Sequence, residues 1–441
     1  MPGSVTAADP TKIVIIGGVA GGASAAARAR RLSESAEIVL LERGPDVSFA
    51  NCGLPYHVGE VIPQRQKLLI TTPERLRERF RLDVRVRSEA IAIDRAAKSV
   101  NIRELDTGRE YDEPYDKLIL APGAAPIRPP IPGADLPNVF TLRDLSDTDR
   151  IKAAVDRGAR RAILVGAGFI GLELAENLVH RGVETLLVER DPQILAPLDP
   201  EMTAPVAAAI QGKGIELRLK STVAKIVDSS DGLYVTLGNG QIRQADLVIF
   251  GIGVRPQNEL AAAAGLELGP RGGIRVDEFL VTSDPDILAV GDVVETSDFI
   301  TGQRTQVPLA GPANRQGRLA ADNCLGPMSS FRGVQGTAIV GFFNVAAAIT
   351  GPSEKTLRRL GKSYRKVYVH PANHAGYYPG AEGMTLKILF EPKGGKLLGA
   401  QGVGGAGVDK RIDVLAVAIQ AGMTVYDLEE MELCYAPQFG S

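Results

Sequence analysis

The chain has 441 residues, of which 44% are hydrophobic and 23% charged, and its formal net charge at pH 7 is −2. A chain of this length folds as about two to four domains, and its charge gives no electrostatic footprint for nucleic acid or an anionic membrane. No stretch reaches the ~18 uninterrupted apolar residues of a membrane-spanning helix. We therefore expect no nucleic-acid partner and no membrane partner.

The two ends of the chain carry little structural signal. The start, "MPGSVTAADP", has neither a basic n-region nor an apolar h-region, which predicts a short leader on a cytoplasmic protein. The end, "LCYAPQFGS", stops without a helix C-cap or a polar tail, so we expect the natural chain to continue.

The first strong element is a βαβ unit. The run Lys12–Ile16 predicts a buried parallel strand, the glycines after it predict a tight turn, and an alanine-rich helix follows to Leu32. Residues 36–44, "AEIVLLERG", predict a second strand that ends at Glu42. This order of elements can hold a dinucleotide pyrophosphate at a helix N-terminus. The turn is irregular, because Val19 stands where the middle glycine of GxGxxG belongs.

The same pattern returns at residues 161–190. Gly166, Gly168 and Gly171 complete a GxGxxG motif, and the strand after the predicted helix ends at Glu189. A single motif of this kind is weak, since glycine turns between a strand and a helix are common. Two units with matched acids predict two nucleotide sites.

Three later segments complete the organisation. Residues 115–126, "YDKLILAPGAAP", predict a buried strand with a Pro-Gly turn, and residues 245–257, "ADLVIFGIGVRPQ", predict a related segment that closes the second unit. Residues 282–292, "TSDPDILAVGD", predict a turn, a strand and then Gly291-Asp292. From about residue 328 the pattern is that of an α+β segment without a nucleotide motif.

The three cysteines lie far apart. Their spacing excludes a disulfide framework. The sequence contains neither a CxxC motif nor a His/Cys cluster, so we expect no metal site. Cys52, in "SFANCGLPY", has no cysteine nearby, because His57 stands where a CxxxxC pair would place its second sulfur. A lone cysteine is more often a small packing residue, which is what we expect of Cys324 and Cys434. If Cys52 is redox-active, its partner sulfur comes from another part of the chain or from a small molecule.

Together these segments resemble the flavoprotein disulfide reductases that bind two dinucleotides, over nearly the whole chain. In that family the first unit binds FAD, the second binds NAD(P)H, and an Asp at the position of Asp292 contacts the flavin ribityl chain. The resemblance implies an α/β fold with two Rossmann-like nucleotide-binding domains and a C-terminal α+β dimerisation domain. We expect the FAD-binding domain at residues 11–116 and 246–327, the NAD(H)-binding domain at 117–245 and the dimerisation domain at 328–441.

Four segments resemble the single-cysteine branch of this family, and the coenzyme A disulfide reductases most closely: "SFANCGLPY", "PLAGPANRQGR" (308–318), "HAGYYPGA" (374–381) and "CYAP" (434–437). The branch includes NADH peroxidases, NADH oxidases and persulfide reductases, the last often with a rhodanese domain. The resemblance implies a homodimer in which Cys52 and FAD use NAD(P)H to reduce CoA disulfide, CoA persulfide or polysulfide. CoA is then a substrate or a mixed-disulfide adduct on Cys52.

The resemblance also implies roles for individual residues. The catalytic residues are Cys52, Asn51, and the tyrosines Tyr377 and Tyr435 brought in across the dimer. The cofactor-binding residues are Gly17, Ala20, Gly21, Gly22, Glu42, Arg43, Gly123, Gly166, Gly168, Phe169, Ile170, Gly171, Glu189, Gly253, Gly291, Asp292, Pro308 and Ala310. The substrate-binding residues are Ser48, Arg30 and Arg31, the two arginines because their fork suits phosphate geometry.

The carboxylate of Glu189 predicts NADH over NADPH, because it can bind the ribose 2′-hydroxyl but repels a 2′-phosphate. Arg190 beside it would let NADPH bind in part.

Two other functions stay open. An NADH oxidase or peroxidase would cycle Cys52 through a sulfenic acid, but those relatives have a histidine where this chain has Ala20 and a serine where it has Asn51. An electron-shuttling or redox-sensing flavoprotein is a different class, and those relatives lack a thiol at the flavin.

Overall fold

The computed structural model describes residues 10–440, so residues 1–9 of the predicted leader lie outside it. The chain divides into two compact units. The first unit comprises the chain up to Asn51, Gln64–Ala125 and Val254–Val334, and the second comprises Cys52–Pro63, Pro126–Gly253 and the chain from Gln335 onward. Within residues 10–440, no helix combines the length and the apolar character needed to cross a bilayer.

The α-helices of the described residues are numbered here in chain order: α1 Ala20–Leu32, α2 Leu54–Val58, α3 Pro73–Phe80, α4 Leu145–Asp156, α5 Phe169–His180, α6 Pro200–Gly212, α7 Glu259–Ala263, α8 Ala310–Leu325, α9 Glu354–Arg359, α10 Val408–Gln420 and α11 Val425–Glu429. Single 3-10 turns cover Asn51–Gly53, Arg65–Leu68 and Gly291–Val293.

A parallel five-stranded sheet forms the centre of the first unit. Its strands, in spatial order, are Ile287–Ala289, Lys117–Leu120, Lys12–Ile16, Glu37–Leu41 and Asp83–Arg85. The apolar runs are buried because the sheet lies inside the hydrophobic core of this unit, as expected of parallel strands.

A second parallel five-stranded sheet forms the nucleotide-like part of the second unit. Its spatial order is Glu216–Arg218, Glu184–Val188, Arg161–Val165, Leu247–Phe250 and Val139–Thr141. Read from its other edge, this sheet has the same arrangement as the first for four of its five strands. The exception is the edge strand: Ile287–Ala289 comes late in the chain, whereas its counterpart Val139–Thr141 precedes the βαβ unit.

The C-terminal part of the second unit contains an antiparallel five-stranded sheet covered by α10. Its spatial order is Ala338–Phe342, Val345–Thr350, Leu397–Gly404, Met384–Phe390 and Arg365–Val369. The apolar face of α10 packs on it through residues such as Ile412 and Leu415. The predicted α/β architecture with a C-terminal α+β segment is confirmed.

The remaining strands of the described residues are short or peripheral. Two groups are antiparallel: Ser88–Asp94 with Ser99–Glu104 and Glu110–Pro114, and Val223–Ser229 with Gly232–Leu237 and Ile242–Ala245. A third group is mixed, with Val294–Ser297 at its centre, parallel to Ile274–Arg275 and antiparallel to Arg304–Thr305. Two further strands are Ala124–Pro126 and Val254–Pro256.

Two predicted domain boundaries fall one strand too early. Lys117–Leu120 pairs with Lys12–Ile16 in the first sheet, although the boundary at 116/117 assigns it to the second domain. Leu247–Phe250 pairs with Arg161–Val165 in the second sheet, although the boundary at 245/246 assigns it to the first. Both are four-residue apolar strands whose own residues fit either sheet, so the sequence does not reveal which one they join.

Candidate active site

The first glycine turn follows the strand Lys12–Ile16. Gly17 has φ +98°, in the left-handed region that favours glycine, and its N–H donates to the Leu41 carbonyl at 2.8 Å. A Cβ on Gly22 would lie 1.8 Å from the Gly17 carbonyl oxygen. The helix α1 can begin this close to the strand only because both positions are glycine.

The carboxylate of Glu42 is held beside this turn by the backbone. Its Oε2 accepts the Gly18 N–H at 2.8 Å and its Oε1 accepts the Gly44 N–H at 2.7 Å. Each oxygen retains a further lone pair. Glu42 thus presents an oriented acceptor at the end of its strand, where a ribose-binding acid is expected. The neighbouring Arg43 is exposed and pairs with Glu89 at 3.5 Å.

The second glycine turn has the same construction. Gly166 has φ +107°, and a Cβ on Gly171 would lie 2.0 Å from the Gly166 carbonyl oxygen. The Glu189 carboxylate accepts the N–H groups of Ala167 and Asp191, both at 2.8 Å. Glu189 therefore occupies in the second unit the position that Glu42 occupies in the first.

The surroundings of Gly168 indicate which ligand the second turn can bind. Its φ of −83° is open to any residue, and a Cβ there would meet no atom within 4 Å. The protein's own packing therefore gives no reason for a glycine, whereas close approach of a pyrophosphate does. Neither α1 nor α5 carries an acidic residue in its first turn, so both N-termini favour an anion. Both turns fit a dinucleotide.

The Gly291-Asp292 segment lies at the same sheet edge as the first glycine turn, because it follows the parallel strand Ile287–Ala289. Gly291 has φ +83°, and its N–H donates to the Gln316 side-chain oxygen at 2.7 Å. Gln316 is buried in α8, which begins at Ala310. Asp292 is thus fixed beside the turn, as a flavin-contacting acid requires.

The helix α8 lies directly on α1. A Cβ on Gly317 would lie 2.1 Å from the Gly21 carbonyl oxygen, and one on Gly21 would lie 3.0 Å from a methyl group of Val290. The two helix backbones touch, and this brings the start of α8 to the first turn.

The remaining predicted cofactor residues lie at the same two sheet edges. Gly123, with φ +73°, follows the strand next to the first turn, and Pro308 precedes α8. In the second unit, Phe169 and Ile170 open α5, and Gly253, with φ +112°, follows the strand next to the second turn.

Cys52 is an accessible sulfur of the chain. It is exposed and lies in the 3-10 turn Asn51–Gly53 that leads into α2. By contrast, Cys324 is packed against the core, and burial raises the pKa of its thiol to about 12. Cys434 is exposed in the single chain, so the prediction that it packs inside the protein is wrong for the single chain. Neither distant cysteine forms a disulfide.

Sequence reasoning missed two titratable residues on the helices that follow Cys52. Tyr56 lies four residues further along, on α2, and Glu173 lies on α5, the helix that α2 packs against. Burial, followed by the charges of Glu173, Glu176 and Cys52, raises the pKa of Tyr56 to about 12. Burial and then the charge of Glu176 raise the pKa of Glu173 to about 7, although the Tyr56 hydrogen bond opposes this. The available signal in the sequence was the presence of two acids, Glu173 and Glu176, in the otherwise apolar run "FIGLELAENL".

The far end of α2 is anchored to α4 and α5. Arg181 donates to the Val58 carbonyl at 3.0 Å. A Cβ on Gly59 would lie 2.0 Å from the side-chain oxygen of Asn177. Beside these contacts four charged side chains form one network, with contacts of 2.7–3.8 Å: Glu60, Lys152, Asp156 and Arg181. The segment after Cys52 is therefore rigidly attached to the helix that starts at the second glycine turn.

The two predicted catalytic tyrosines lie together in the C-terminal part of the second unit. The hydroxyls of Tyr377 and Tyr435 are 3.2 Å apart, and this hydrogen bond raises the pKa of Tyr377. Their side chains are 76% and 63% exposed in the single chain. They form a paired hydroxyl donor at the protein surface.

The predicted substrate residues have different environments. Ser48 has φ +47°, and its N–H donates to the Gly18 carbonyl, so it lies beside the first turn. Arg31 is exposed and lies over the Phe80 ring at 5.6 Å. Arg30 is buried instead, and its guanidinium donates to four backbone carbonyls, those of Ser33, Glu34, Phe80 and Arg81. Its donors are used within the protein, which contradicts a phosphate-binding role.

A cluster of three carboxylates, from Asp199, Glu201 and Glu354, superficially resembles a metal site. The fully buried ammonium of Lys387 lies 2.5–2.8 Å from each of them. Burial alone would raise the pKa of Glu354, but hydrogen bonds from Lys387, Tyr364 and Lys366 lower it to about 2. The lysine occupies the position that a cation would take.

Comparison with known proteins gives a consistent result. The family model for pyridine nucleotide-disulphide oxidoreductases matches residues 11–317, and the model for the dimerisation domain of that family matches residues 337–441. A coenzyme A disulfide reductase of Staphylococcus epidermidis is 37% identical over 430 residues, covering 97% of this chain and 96% of the relative.

Two solved structures are similar over nearly the whole chain. The reduced CoADR-RHD of Bacillus anthracis is 48% identical with a TM-score of 0.95, covering 98% of this chain and 77% of that one. An NAD-dependent persulfide reductase from A. fulgidus is 38% identical with a TM-score of 0.94, covering 97% of this chain and 80% of that one.

Proposed function

This chain belongs to the pyridine nucleotide-disulphide oxidoreductase family, and from that premise we propose that it is a homodimeric CoA-disulfide or CoA-persulfide reductase that uses NAD(P)H, FAD and Cys52. The observation that carries the proposal is the exposed Cys52, without a second cysteine nearby, attached through α2 to the helix of the second glycine turn. A protein sulfur with no second cysteine in its segment can form its disulfide with an exogenous thiol. The names of the three relatives described above support a CoA or persulfide sulfur.

The first turn holds FAD and the second holds NADH in this proposal. Glu42 and Glu189 each present a carboxylate fixed by two backbone N–H groups, which suits a ribose hydroxyl. The carboxylate of Glu189 disfavours a 2′-phosphate. We therefore expect a higher kcat/KM with NADH than with NADPH, and the reverse preference would contradict the role of Glu189.

The chemistry at sulfur is performed by the chain itself. The Cys52 thiolate attacks one sulfur of CoA disulfide, the S–S bond breaks, and a mixed disulfide forms as one CoA thiolate leaves. That thiolate takes a proton from the Tyr377–Tyr435 pair, supplied across the dimer. Bound flavin and nicotinamide supply the hydride transfer that provides the electron pair for reopening the mixed disulfide.

With a CoA persulfide the Cys52 thiolate would attack the CoA-bound sulfur, the S–S bond would break, and the same mixed disulfide would form as hydrosulfide leaves. The CoA phosphates would be bound by Arg31, since Arg30 is occupied by backbone carbonyls. We further propose a cytoplasmic location, because none of the three cysteines forms a disulfide.

The function is tested by anaerobic NADH oxidation with CoA disulfide as the sole acceptor. Cys52→Ser should retain FAD and lose turnover by about a thousandfold or more, because the covalent nucleophile is gone. Cys324→Ser is the matched control and should retain turnover. Mass spectrometry of the oxidised protein should find CoA on Cys52.

The alternative, an NADH oxidase or peroxidase, predicts a different result. Oxygen or peroxide would then be consumed at a rate above that of CoA disulfide, and Cys52 would carry a sulfenic acid. Full disulfide turnover by Cys52→Ser would exclude both functions at this sulfur.

A further inference from the structure

We propose that Arg411 is a positioning residue that holds Tyr377 and Tyr435 together as the proton donor to the leaving CoA thiolate. It acts through the backbone carbonyl of Asn373, which joins the two segments that carry the tyrosines. The inference rests on the proposed function, because the tyrosine pair receives its role there.

The tyrosine pair is not held by its own surroundings. The two hydroxyls bond each other at 3.2 Å, and both side chains are exposed in the single chain. Within residues 10–440, neither hydroxyl bonds a further protein group. The distance between Tyr377 and Tyr435 is therefore set by the two backbone segments that carry them.

The first segment is a loop of residues 373–382 that is closed at its base. The Asn373 N–H donates to the Glu382 carbonyl at 2.8 Å, and the Glu382 N–H donates to the Asn373 side-chain oxygen at 2.9 Å. The Glu382 carboxylate also accepts the Ala406 N–H at 2.9 Å. Tyr377 is thus presented from a loop whose two ends are fixed to each other.

The second segment comprises residues 434–440, near the end of the chain. It contains Tyr435 and turns back on itself, because Ala436 and Phe439 exchange backbone hydrogen bonds at 3.1 and 2.8 Å. Its attachment to the rest of the C-terminal part is made at Gly440.

One backbone carbonyl joins the two segments. The Asn373 carbonyl oxygen accepts the Gly440 N–H at 3.1 Å and the Arg411 guanidinium, through Nη2, at 2.9 Å. The neighbouring Lys410 donates to the Gly440 carbonyl. We call Asn373, Arg411 and Gly440 the tyrosine junction. It ties both tyrosine segments to α10, which itself packs on the C-terminal sheet.

The tyrosine junction is tightly packed. Arg411 is buried, and a Cβ on Gly440 would lie 2.3 Å from its Nη2 and 2.4 Å from the Asn373 carbonyl oxygen. A hydrogen bond from an ionised donor is stronger than a neutral one. Loss of the guanidinium would therefore leave a gap and a weaker bond at the point where the two segments meet.

The position of the tyrosines matters for one proton. When the Cys52 thiolate opens CoA disulfide, the departing CoA thiolate takes a proton from the pair, and the pair regains it from solvent; no electrons move in this transfer. Such a transfer needs heavy atoms about 2.6–3.2 Å apart. An aromatic disulfide instead releases an acidic thiolate that leaves without a proton. Displaced tyrosines should therefore slow only the reaction with CoA disulfide.

The test measures single-turnover formation of the mixed disulfide at Cys52 in holoenzyme with oxidised flavin, on a Cys324→Ser, Cys434→Ser background. The substrate is either CoA disulfide or dithiobis(nitrobenzoate). Arg411→Met should slow the reaction with CoA disulfide about tenfold or more, and that with the aromatic disulfide by less than about twofold. Arg411→Lys should recover part of the loss. Gly440→Ala disturbs the same junction from the other segment and should reproduce the selective loss.

Two matched variants serve as controls. Arg359→Met removes an exposed arginine of α9, and Gly383→Ala adds a Cβ beside the base of the first loop with no atom within 4 Å. Both should react with the two disulfides at the reference rates. Equal slowing of Arg411→Met with both disulfides would show general structural damage and would overturn the positioning role.

Hydrogen exchange tests the attachment of the two segments without any reaction. In Arg411→Met the amides of residues 373–382 and 434–440 should exchange about tenfold faster, because the junction that protects them is weakened. Unchanged exchange in both segments would overturn the inference.

The same measurements separate this inference from the proposed function. If the reference protein forms no mixed disulfide with CoA disulfide at Cys52, the proposed function fails and the positioning role falls with it. If it does form one, and Arg411→Met forms it at the same rate, the positioning role alone fails and the proposed function stands.

Discussion

The two glycine turns are built alike but packed differently. Both place a glycine at positive φ before a helix, and both fix an acid with two backbone N–H groups. The helix of the first turn is covered by α8 at backbone contact, through Gly21 and Gly317. The helix of the second turn packs against α2, which follows Cys52, and its Ile170 is 38% exposed.

This difference shows how one binding unit serves two purposes. In the first unit the additional helix encloses the site and fixes Asp292 through Gln316 beside Gly291. In the second unit the start of α5 is exposed at Ile170, and the same helix packs against α2, which follows Cys52. Because the two turns are alike, the elements packed on their helices distinguish the two sites.

The largest effect is expected where the two turns are identical. Gly22→Ala places a Cβ 1.8 Å from a carbonyl that cannot move away, and Gly171→Ala does so at 2.0 Å. Each should cost about 3 kcal/mol or more of local stability. Gly22→Ala should abolish FAD retention, and Gly171→Ala should abolish NADH binding while flavin is kept. Gly212→Ala, at a helical glycine with open space, is the control. Loss of flavin from Gly171→Ala alone would break the assignment of the two sites.

A smaller effect is expected at the helix contact that only the first unit has. Gly317→Ala introduces a Cβ 2.1 Å from the Gly21 carbonyl, so α8 must move off α1. We expect a loss of about 1–3 kcal/mol in urea unfolding and faster flavin release. Gly311→Ala, on the same helix with nothing within 4 Å, should leave stability unchanged. Equal stability of the two variants would mean that the helices can separate freely.

The middle glycine position of the GxGxxG motif tests whether a glycine serves ligand binding or the packing of the protein. This position is Val19 in the first turn and Gly168 in the second. Gly168→Val copies the first turn into the second, and no protein atom lies within 4 Å of its Cβ. The melting temperature should therefore stay the same while the NADH Kd rises about tenfold, or about 1.4 kcal/mol. Val19→Gly, measured by flavin retention, should have little effect. A lowered melting temperature for Gly168→Val would show that the glycine serves the fold.

The smallest effect is the pH dependence of stability. The helix α5 contains the half-buried acid Glu173, whereas α1 contains no acidic residue. The pKa of Glu173 is raised to about 7, so the folded protein holds this proton more tightly than the unfolded chain does. Its contribution to stability is fully present below the ordinary Glu pKa and is lost as pH rises to about 7. Glu173→Gln should remove that loss and add about 1 kcal/mol at pH 8, measured by urea unfolding. Glu184→Gln, at an exposed strand end, is the control, and equal pH slopes in all three proteins would contradict the raised pKa.

Local sequence patterns were sufficient for the turns. Gly17, Gly22 and Glu42 act within one βαβ unit, so their spacing alone reports their geometry, and the same is true of Gly166, Gly171 and Glu189. Asp292 needed the family resemblance, because nothing local places its segment beside the first turn. The sheet that a short strand joins was not predictable, as Lys117–Leu120 and Leu247–Phe250 show.

The residues that sequence reasoning missed all act across long separations. Tyr56 and Glu173 lie on α2 and α5, which pack against each other, and neither residue type signals that packing. Arg30 was interpreted as a phosphate ligand because its charge is visible in the sequence, whereas two of the carbonyls that it bonds, those of Phe80 and Arg81, lie 50 and 51 residues away. Backbone acceptors carry no signature in the residue letters.

The Lys387 cluster bears on how this protein can be recombined. Asp199, at the start of α6, accepts bonds from Lys387, from Gln401 and from the N–H groups of Glu354 and Lys355. A chimera that takes only its C-terminal sheet from a relative would bring a buried ammonium without its matching carboxylate. Chimeras with a crossover near residue 328 should therefore fold only when both parents have an acid at position 199 and a lysine at position 387. Asp199 and Lys387 must be inherited together.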